Sequence, residues 1–289
     1  MHGIGNDFIL IDCIGQACPS ETESLRGLSE RLCHRRFGIG ADQLLLLYPS
    51  SIADFRMRIL NADGTEVEMC GNGIRCLAKF IWDRKLSGKN ILHIETLAGI
   101  IKPEKTDDMV KVDMGEPIFE PEKIPVNMSR EGVGDQEAAR DSKLKTRDSK
   151  MVGDYSLRIK DREFRVSCVS MGNPHAIIVV DDVSSFPVPY YGPLIETHPV
   201  FPKKTNVEFI QVLARKEIRM RVWERGSGET MACGTGASAA AVAATAKGLT
   251  DNAVTVHLLG GDLFIEWADD NHVYMTGPAA TVFEGEFDL

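Results

Sequence analysis

Several sequence features are missing from this chain of 289 residues, and each absence excludes a class of protein. No stretch approaches the roughly 20 apolar residues that a transmembrane helix requires. The net charge is −9, which argues against binding nucleic acid or an anionic membrane because both need a basic face. The first residues contain no basic segment followed by an apolar one, so no signal peptide is expected.

Ligand motifs are missing as well. The seven cysteines form no Cys-x-x-Cys pair, and an odd number fits no compact disulfide framework, so free thiols in a reducing cytoplasm are predicted. The histidines share no ligand spacing, which predicts no metal site. The Gly-x-Gly pairs lack the third glycine and the lysine of a phosphate-binding loop. The remaining composition, 43% hydrophobic and 26% charged residues, is that of a globular protein long enough for two domains.

A short motif that occurs twice organises the chain. Met69–Gly73 (MCGNG) and Ala232–Gly236 (ACGTG) align at an offset of 163 residues, which places Cys70 on Cys233. The same offset aligns further identical residues: Arg56 with Arg219, Met57 with Met220, Arg58 with Arg221, Glu66 with Glu229 and Ala78 with Ala241. Eight identities in 23 positions indicate a duplicated unit that presents one cysteine before a helix in each half.

Periodicity predicts a set of strands and one central helix in each half. Alternating apolar residues predict strands at 55–60 and 218–223. Apolar residues at helical spacing predict helices at 73–86, with Gly88 as its C-cap, and at 236–247. The second of these helices has almost no polar side chain, so it is expected to be buried on all sides.

Three further predictions concern the segments around this repeat. A helix is expected at 21–35 with Ser20 as its N-cap. The segment 172–175 reads as a turn that leads into a buried strand at 176–180. The composition between 127 and 154 is highly charged and without periodicity, which predicts a solvated loop.

The predicted fold is α/β, with two pseudo-symmetric halves, each a mixed or antiparallel barrel-like sheet wrapped around a central helix. The N-terminal half, residues 1–120 plus 278–289, carries Cys70, and the C-terminal half, residues 121–277, carries Cys233. Because the halves are repeats, the two thiols are expected to face each other across a cleft that forms the active site.

Two opposed thiols suggest a specific reaction. A cysteine at a helix start meets unpaired N–H groups and the positive end of the helix dipole, which lower the pKa of its thiol. The glycines that follow leave those N–H groups open to a carboxylate. One sulfur can then take a proton from one face of a carbon while the other returns a proton to the opposite face. Such a pair inverts a stereocentre without a cofactor.

Motifs along nearly the whole chain resemble those of the diaminopimelate epimerase family. They are Gly3-x-Gly5-Asn6-Asp7-Phe8, Arg36-Phe37-Gly38-x-Gly40-Ala41-Asp42-Gln43, Asn61-x-Asp63-Gly64, Met69-Cys70-Gly71-Asn72-Gly73-x-Arg75-Cys76, Gly172-Asn173-Pro174-His175, Thr205-Asn206, Trp223-Glu224-Arg225-Gly226 and Ala232-Cys233-Gly234-Thr235-Gly236. The resemblance implies a cofactor-independent isomerase that converts LL-2,6-diaminopimelate to its meso form, in lysine and peptidoglycan biosynthesis. It also implies a homodimer.

The resemblance assigns roles to individual residues. Cys70 and Cys233 are implied to be the acid/base pair, with His175 and Glu224 beside the thiols to set their protonation. The residues implied to bind the α-carboxylate at the two helix starts are Gly71, Asn72, Gly234 and Thr235. The residues implied to bind the rest of the substrate are Asn6, Gln43, Asn61, Asn173, Asn206 and Arg225.

Two other functions stay open at this point. A proline- or hydroxyproline-racemase-like enzyme would use the same two thiols, although such enzymes typically have His after Cys-Gly in the first half, where this chain has Asn72. A non-catalytic amino-acid-binding protein on this scaffold would be expected to have lost a thiol, and both are present. The cysteines outside the repeat are expected to be small buried hydrophobes, and His175 taken alone would more often be a structural histidine.

Overall fold

A computed structural model describes residues 1–15, 18–127 and 154–287 of the chain. The charged segment predicted as a solvated loop therefore lies outside the described residues, except for its two ends. The described residues form a mixed α/β fold. Contacts between Cα atoms divide the chain into two units, Met1–Asp113 with Thr276–Leu289 and Met114–Met275.

The first unit is built on a six-stranded sheet in the order β1-β2-β3-β4-β5-β6, with β2–β3 and β4–β5 parallel. Its helix α2 packs with its first eight residues buried, so the sheet has a central apolar helix as predicted. The elements are β1 (His2–Gly3), β2 (Asn6–Asp12), α1 (Thr22–Cys33), β3 (Gln43–Tyr48), β4 (Phe55–Asn61), α2 (Gly71–Asp83), β5 (Ile94–Thr96), β6 (Gly99–Ile101), β7 (Glu104–Thr106) and β8 (Met109–Asp113).

The second unit is built on a sheet in the order β17-β16-β15-β13-β12-β11-β10-β9, with β11–β12 and β13–β15 parallel. Helix α4 is buried along nearly its whole length, which confirms the prediction from its alanine-rich sequence. The elements are β9 (Asp154–Ile159), β10 (Arg162–Ser170), β11 (Pro174–Val179), α3 (Val188–Glu196), β12 (Asn206–Ala214), β13 (Glu217–Glu224), β14 (Gly228–Thr230), α4 (Gly234–Ala246), β15 (Ala253–Leu258), β16 (Gly261–Trp267) and β17 (Val273–Gly277).

The ends of the two central helices repeat as closely as their beginnings. The chain leaves α2 through Lys85, whose φ is +56°, and leaves α4 through Gly248, whose φ is +70°. In each case the next residue donates its N–H five residues back, Leu86 to Ile81 and Leu249 to Ala244, as in a Schellman closure. Gly88 is therefore not the C-cap of α2, because Lys85 takes the left-handed position that glycine was expected to fill.

Several local predictions were wrong. Ser20 is not the N-cap of α1, because Glu21 occupies that position and makes no side-chain cap. His175 lies in strand β11, which begins at Pro174, instead of in a turn. Helix α3 was missed because Gly192 and Pro193 lie within it and both read as helix breakers.

The prediction that all cysteines are free is wrong for one pair. Cys13 and Cys18 form a disulfide, with Cα atoms 5.5 Å apart, a separation typical of the bond. Cys33, Cys76 and Cys168 are free and buried, as expected of small hydrophobic side chains. Burial raises the pKa of Cys76 to about 12 and that of Cys168 to about 12, so both remain thiols at neutral pH.

Candidate active site

Cys70 is the N-cap of α2. Its backbone is extended, and its Sγ accepts the N–H of Gly73 at 3.4 Å. The thiol also lies 3.9 Å from Oδ1 of Asn6, which accepts a hydrogen bond from Nδ2 of Asn72 at 3.4 Å. Because the first N–H groups of a helix have no partner within the helix, Gly71 and Asn72 present donors beside the sulfur. This arrangement can hold an anionic group next to a partly exposed thiol.

Cys233 is the N-cap of α4 and is only 5% exposed. Its Sγ lies 3.5 Å from the hydroxyl oxygen of Thr235. Burial raises the pKa of Cys233 well above its ordinary value, and the nearby carboxyl groups of Glu224 and Glu208 raise it further, whereas the hydrogen bond with Thr235 lowers it. Gly234 and Thr235 supply the first N–H groups of the helix, so this half-site repeats the donors that flank Cys70.

The same ion pair precedes the cysteine in each half. Arg58 bonds both carboxylate oxygens of Glu66, at 2.6 and 2.7 Å. Arg221 bonds Glu229 at 2.7 Å and also donates to three backbone carbonyls. The four side chains are between 10% and 20% exposed. The identities detected in the sequence therefore mark a structural support that each half keeps at the same offset.

The amide side chains predicted for the first half lie close together. Gln43 donates to Oδ1 of Asn61 at 2.8 Å, and Asn61 donates to the hydroxyl of Thr65 at 2.9 Å. Asn6 donates to Asp42 at 2.8 Å. The Oε1 atom of Gln43 is buried and accepts no hydrogen bond from the described residues, which leaves an acceptor available to a bound amino or ammonium group.

The polar residues of the second half form a connected set around His175, which is fully buried. His175 Nδ1 lies 2.7 Å from Oε1 of Glu208, and Nε2 lies 2.9 Å from Oδ1 of Asn173. Asn173 in turn donates to Thr235 at 3.4 Å. Both ring nitrogens of His175 are thus engaged, and the ring is connected to Cys233 through Asn173 and Thr235.

The other predicted residues lie at the start of β12 and at the end of β13. The buried side chain of Asn206 accepts the backbone N–H of Arg225 at 2.9 Å and donates to the carbonyl of Pro174 at 2.9 Å. The exposed guanidinium of Arg225 donates to the carbonyl of Lys203 at 3.2 Å. Glu224 accepts a hydrogen bond from the hydroxyl of Thr230.

Two carboxyl groups that support this half-site were absent from the sequence-based set. Glu208 contacts His175, and Glu196 accepts the indole N–H of Trp223 at 2.8 Å and the N–H of Gly226 at 3.1 Å. Both side chains are buried. Glu208 sits in an apolar strand and Glu196 in the undetected helix α3, so neither stands out in the sequence. Glu208 could have been noticed in the sequence as a charged residue within an apolar stretch, since charged side chains are rarely buried.

We expect Gly192→Ala to loosen the turn that carries Glu224 and Arg225. A Cβ at Gly192 would lie 2.5 Å from Cγ of Trp223, so the indole that bonds Glu196 must shift. Overpacking of this kind lowers the free energy of unfolding by about 1–3 kcal/mol, and KM is expected to rise as well. Urea denaturation and steady-state kinetics measure both effects.

Gly27→Ala is the matched control, because Gly27 lies within α1 and a Cβ there meets nothing within 4 Å. This variant is expected to gain about 0.5–1 kcal/mol of stability. Equal behaviour of the two variants would contradict the packing argument.

Within the described residues, no helix combines the length and apolar character needed to cross a membrane. The same part of the chain holds no group of three or more His, Cys, Asp or Glu side chains placed to bind a metal ion.

Comparison with known sequences gives a consistent answer. The sequence model of a family described as diaminopimelate epimerase matches residues 1–120 and 167–282. Diaminopimelate epimerase of Moorella thermoacetica is 52% identical over 295 aligned positions, covering 100% of this chain and 98% of the relative. The enzyme of Methanococcus maripaludis strain C5 is 49% identical, again over 100% of this chain and 98% of its own length.

Solved structures share the fold at low sequence identity. A PhzF-family phenazine biosynthesis protein of Bacillus anthracis superposes with a TM-score of 0.64 at 18% identity, covering 96% of this chain and 92% of its own. A hydroxyproline epimerase of Agrobacterium vitis superposes with a TM-score of 0.61 at 17% identity, covering 96% and 87%. The mixed α/β fold expected from the sequence is therefore one that solved proteins adopt.

Proposed function

Because the chain belongs to the diaminopimelate epimerase family, we propose that Cys70 and Cys233 are the two acid/base catalysts of diaminopimelate epimerisation. The enzyme is an isomerase that interconverts the LL and meso forms of this amino acid, a step of lysine biosynthesis. The observation that carries the roles of the two residues is the repeated N-cap. Each cysteine caps a 13-residue helix whose first residues are largely buried, and the same ion pair is found in each half. Neither the racemase-like nor the binding-protein alternative is favoured by the curated relatives.

In this mechanism one sulfur removes the α-proton and the other sulfur donates a proton to the opposite face, so no net proton is consumed. The α-carboxylate is held by the N–H groups of Gly71 and Asn72 at one helix start and of Gly234 and Thr235 at the other. These donors and the helix dipoles stabilise the negative charge that develops beside the carboxylate. In this proposal each half supplies one thiol and the first N–H groups of one helix.

The two thiols have different surroundings. The pKa of Cys233 is raised by burial and by carboxyl groups, which favours its protonated form, whereas Sγ of Cys70 accepts an N–H at a helix start and is more exposed. Glu224 borders the Cys233 thiol and would receive its proton. His175, with both ring nitrogens occupied, would act on Cys233 through Asn173 and Thr235.

The remaining polar residues would bind the rest of a long, doubly zwitterionic substrate. Its distal centre carries an ammonium and a carboxylate group, which require acceptors and donors together. The amide side chains supply both, and Arg225 supplies a cation for the distal carboxylate. The residues proposed for this role are Asn6, Gln43, Asn61, Asn173, Asn206 and Arg225.

The test of the activity is α-proton exchange in D2O, followed by mass spectrometry, with a thiol reductant and no added cofactor. LL-diaminopimelate is expected to gain one deuterium as it converts to the meso form. Proline and hydroxyproline serve as control substrates. Exchange on proline but not on diaminopimelate, with both thiols shown to be reduced, would transfer the activity to the racemase-like alternative.

We further propose a cytoplasmic homodimer. The support for the homodimer is the sequence resemblance. The support for the cytoplasm is that five described cysteines are free, a state typical of a reducing compartment, whereas the Cys13–Cys18 disulfide is the exception. Sedimentation equilibrium and cell fractionation test the two statements separately, and a monomer at micromolar concentration would contradict the first.

A further inference from the structure

Glu208 has no role in the mechanism proposed above, yet its carboxyl group lies within the Cys233 half-site. The side chain is fully buried on β12, with Oε1 2.7 Å from Nδ1 of His175. Its Oε2 accepts no hydrogen bond from any described residue. The first turn of α4 lies against this carboxyl group, because a Cβ on Gly236 would stand 2.7 Å from Oε1.

The first half has apolar residues at the corresponding places. Strand β2 pairs in parallel with β3 so that Phe8 lies opposite Gln43, as His175 lies opposite Asn206 on β11 and β12. The 163-residue offset aligns Gln43 with Asn206, and Leu45 with Glu208. A Cβ on Gly73 would accordingly meet Leu45 and Phe8. The two halves therefore differ by a buried polar pair that only the Cys233 side contains.

Burial restricts the protonation of this pair. A buried carboxylate with no compensating charge is strongly disfavoured, and burial indeed raises the pKa of Glu208. The pair is then either an imidazolium with a carboxylate or a neutral imidazole with a carboxylic acid. In both forms one proton lies between Nδ1 and Oε1, and a second proton is on Nε2 of His175.

The proton on Nε2 sets the direction of every later hydrogen bond. The atom that faces Nε2 at 2.9 Å must be the amide oxygen of Asn173, which leaves the amide nitrogen to donate to Thr235 at 3.4 Å. The hydroxyl oxygen of Thr235 then acts as an acceptor on that side. Its proton is free to point at Sγ of Cys233, 3.5 Å away.

On the basis of the catalytic role proposed for Cys233, we propose that Glu208 is a positioning residue for that thiol. By keeping a proton on Nε2 of His175, Glu208 orients Asn173 and directs the hydroxyl proton of Thr235 at Sγ. This hydrogen bond is stronger to a thiolate than to a thiol, because hydrogen bonds to charged groups are the stronger ones. Glu208 acts on the sulfur in two opposed ways without touching substrate: its carboxyl group raises the pKa of Cys233, and the hydrogen bond that it orients stabilises the thiolate. In this proposal the oriented hydrogen bond is the larger of the two effects.

Neighbouring strands also bring titratable groups close to this chain of hydrogen bonds. Glu224 on β13 borders Cys233, and Cys168 on β10 lies near Glu208, while α4 itself contains no titratable side chain. Glu208→Gln replaces the carboxyl group by an uncharged amide of nearly the same shape. The amide can accept or donate, which leaves the direction of the hydrogen bonds unfixed.

A double-mutant cycle of Glu208→Gln and Thr235→Val tests this positioning role. The readouts are kcat, KM, and the rate of iodoacetamide modification of Cys233 relative to Cys70 in the same chain. Glu208→Gln is expected to lower kcat and the modification ratio about tenfold, because the loss of one hydrogen bond to a charged group has an effect of about this size. KM is expected to stay unchanged. In the Thr235→Val background the same change is expected to have less than a twofold effect.

Independent, multiplying effects of the two substitutions, or a Glu208→Gln variant within twofold of wild type, would overturn the positioning role. Melting curves of Glu208→Gln and Glu208→Leu detect a purely structural loss. Partial unfolding would also change the reactivity of Cys70, whereas loss of the positioning role would change only that of Cys233. In wild type, ¹⁵N spectra of labelled histidine must show a proton on Nε2 of His175, and a bare Nε2 would overturn the proposal directly. Thiol modification needs no substrate, so these outcomes remain readable even if the proposed activity fails.

Discussion

Cys70→Ala and Cys233→Ala are each expected to reduce epimerisation by at least about 10³-fold, because each removes the acid or base that serves one face of the carbon. Each variant keeps the other thiol, so a partial reaction should remain. The remaining sulfur can remove the α-proton and return deuterium to the same face in D2O, giving exchange with retention of configuration. The epimer that exchanges should differ between the two variants.

The loss of epimerisation and the remaining exchange are measured together, by mass spectrometry and chiral chromatography of the recovered amino acid. Cys76→Ala is the matched control, since this cysteine is buried in α2, six residues after Cys70, and has no proposed role. Near-normal turnover in either single variant would refute a mechanism with one thiol for each face. Exchange of the same epimer by both variants would refute the assignment of the thiols to opposite faces.

Arg58→Met and Arg221→Met are each expected to lower the free energy of unfolding by about 3 kcal/mol, because each leaves a largely buried carboxylate without its partner. Arg221 also bonds three backbone carbonyls, so its loss is expected to be at least as large as that of Arg58. Denaturant titration followed by circular dichroism measures both. Arg26→Met provides the control, because its partner Glu30 is 48% exposed and such surface pairs contribute at most about 1 kcal/mol.

The ion pair of Arg58 with Glu66 predicts that stability depends on pH. The hydrogen bond from Arg58 holds the pKa of Glu66 below its ordinary value of 4.5. A carboxyl group whose pKa is lowered in the folded state contributes its full stability above the unfolded pKa and loses it as the pH falls through the folded value. Wild type should therefore lose stability below pH 4.5 more steeply than Arg58→Met, and parallel curves would contradict this account.

Much of the candidate site was readable in the sequence because it depends on local order. Cys70 and Cys233 each precede glycines and a run of helix-forming residues, and the N-cap position follows from that order alone. The repeat offset was visible as identical residues, and the structure shows that Arg58 with Glu66, and Arg221 with Glu229, are real partners. The burial of α4 followed from its lack of polar side chains.

Predictions failed where a local signal competes with packing. Lys85 adopts a left-handed φ of +56° that residue preference assigns to glycine. Helix α3 tolerates Gly192 because the indole of Trp223 occupies the space where a side chain would project. Cys13 and Cys18 form a disulfide, which an odd cysteine count does not reveal.

By itself the sequence determined the two cysteines, the duplication and the family, because each of these is written in the order of neighbouring residues. Only the tertiary structure decided what surrounds each thiol. His175 and Glu208 are 33 residues apart, and they meet because β11 and β12 pair in parallel with His175 opposite Asn206. The same pairing in the first half brings Phe8 to the corresponding position. The register of a parallel pair is fixed by burial across the whole sheet, so no local pattern predicts which side chains it brings into contact.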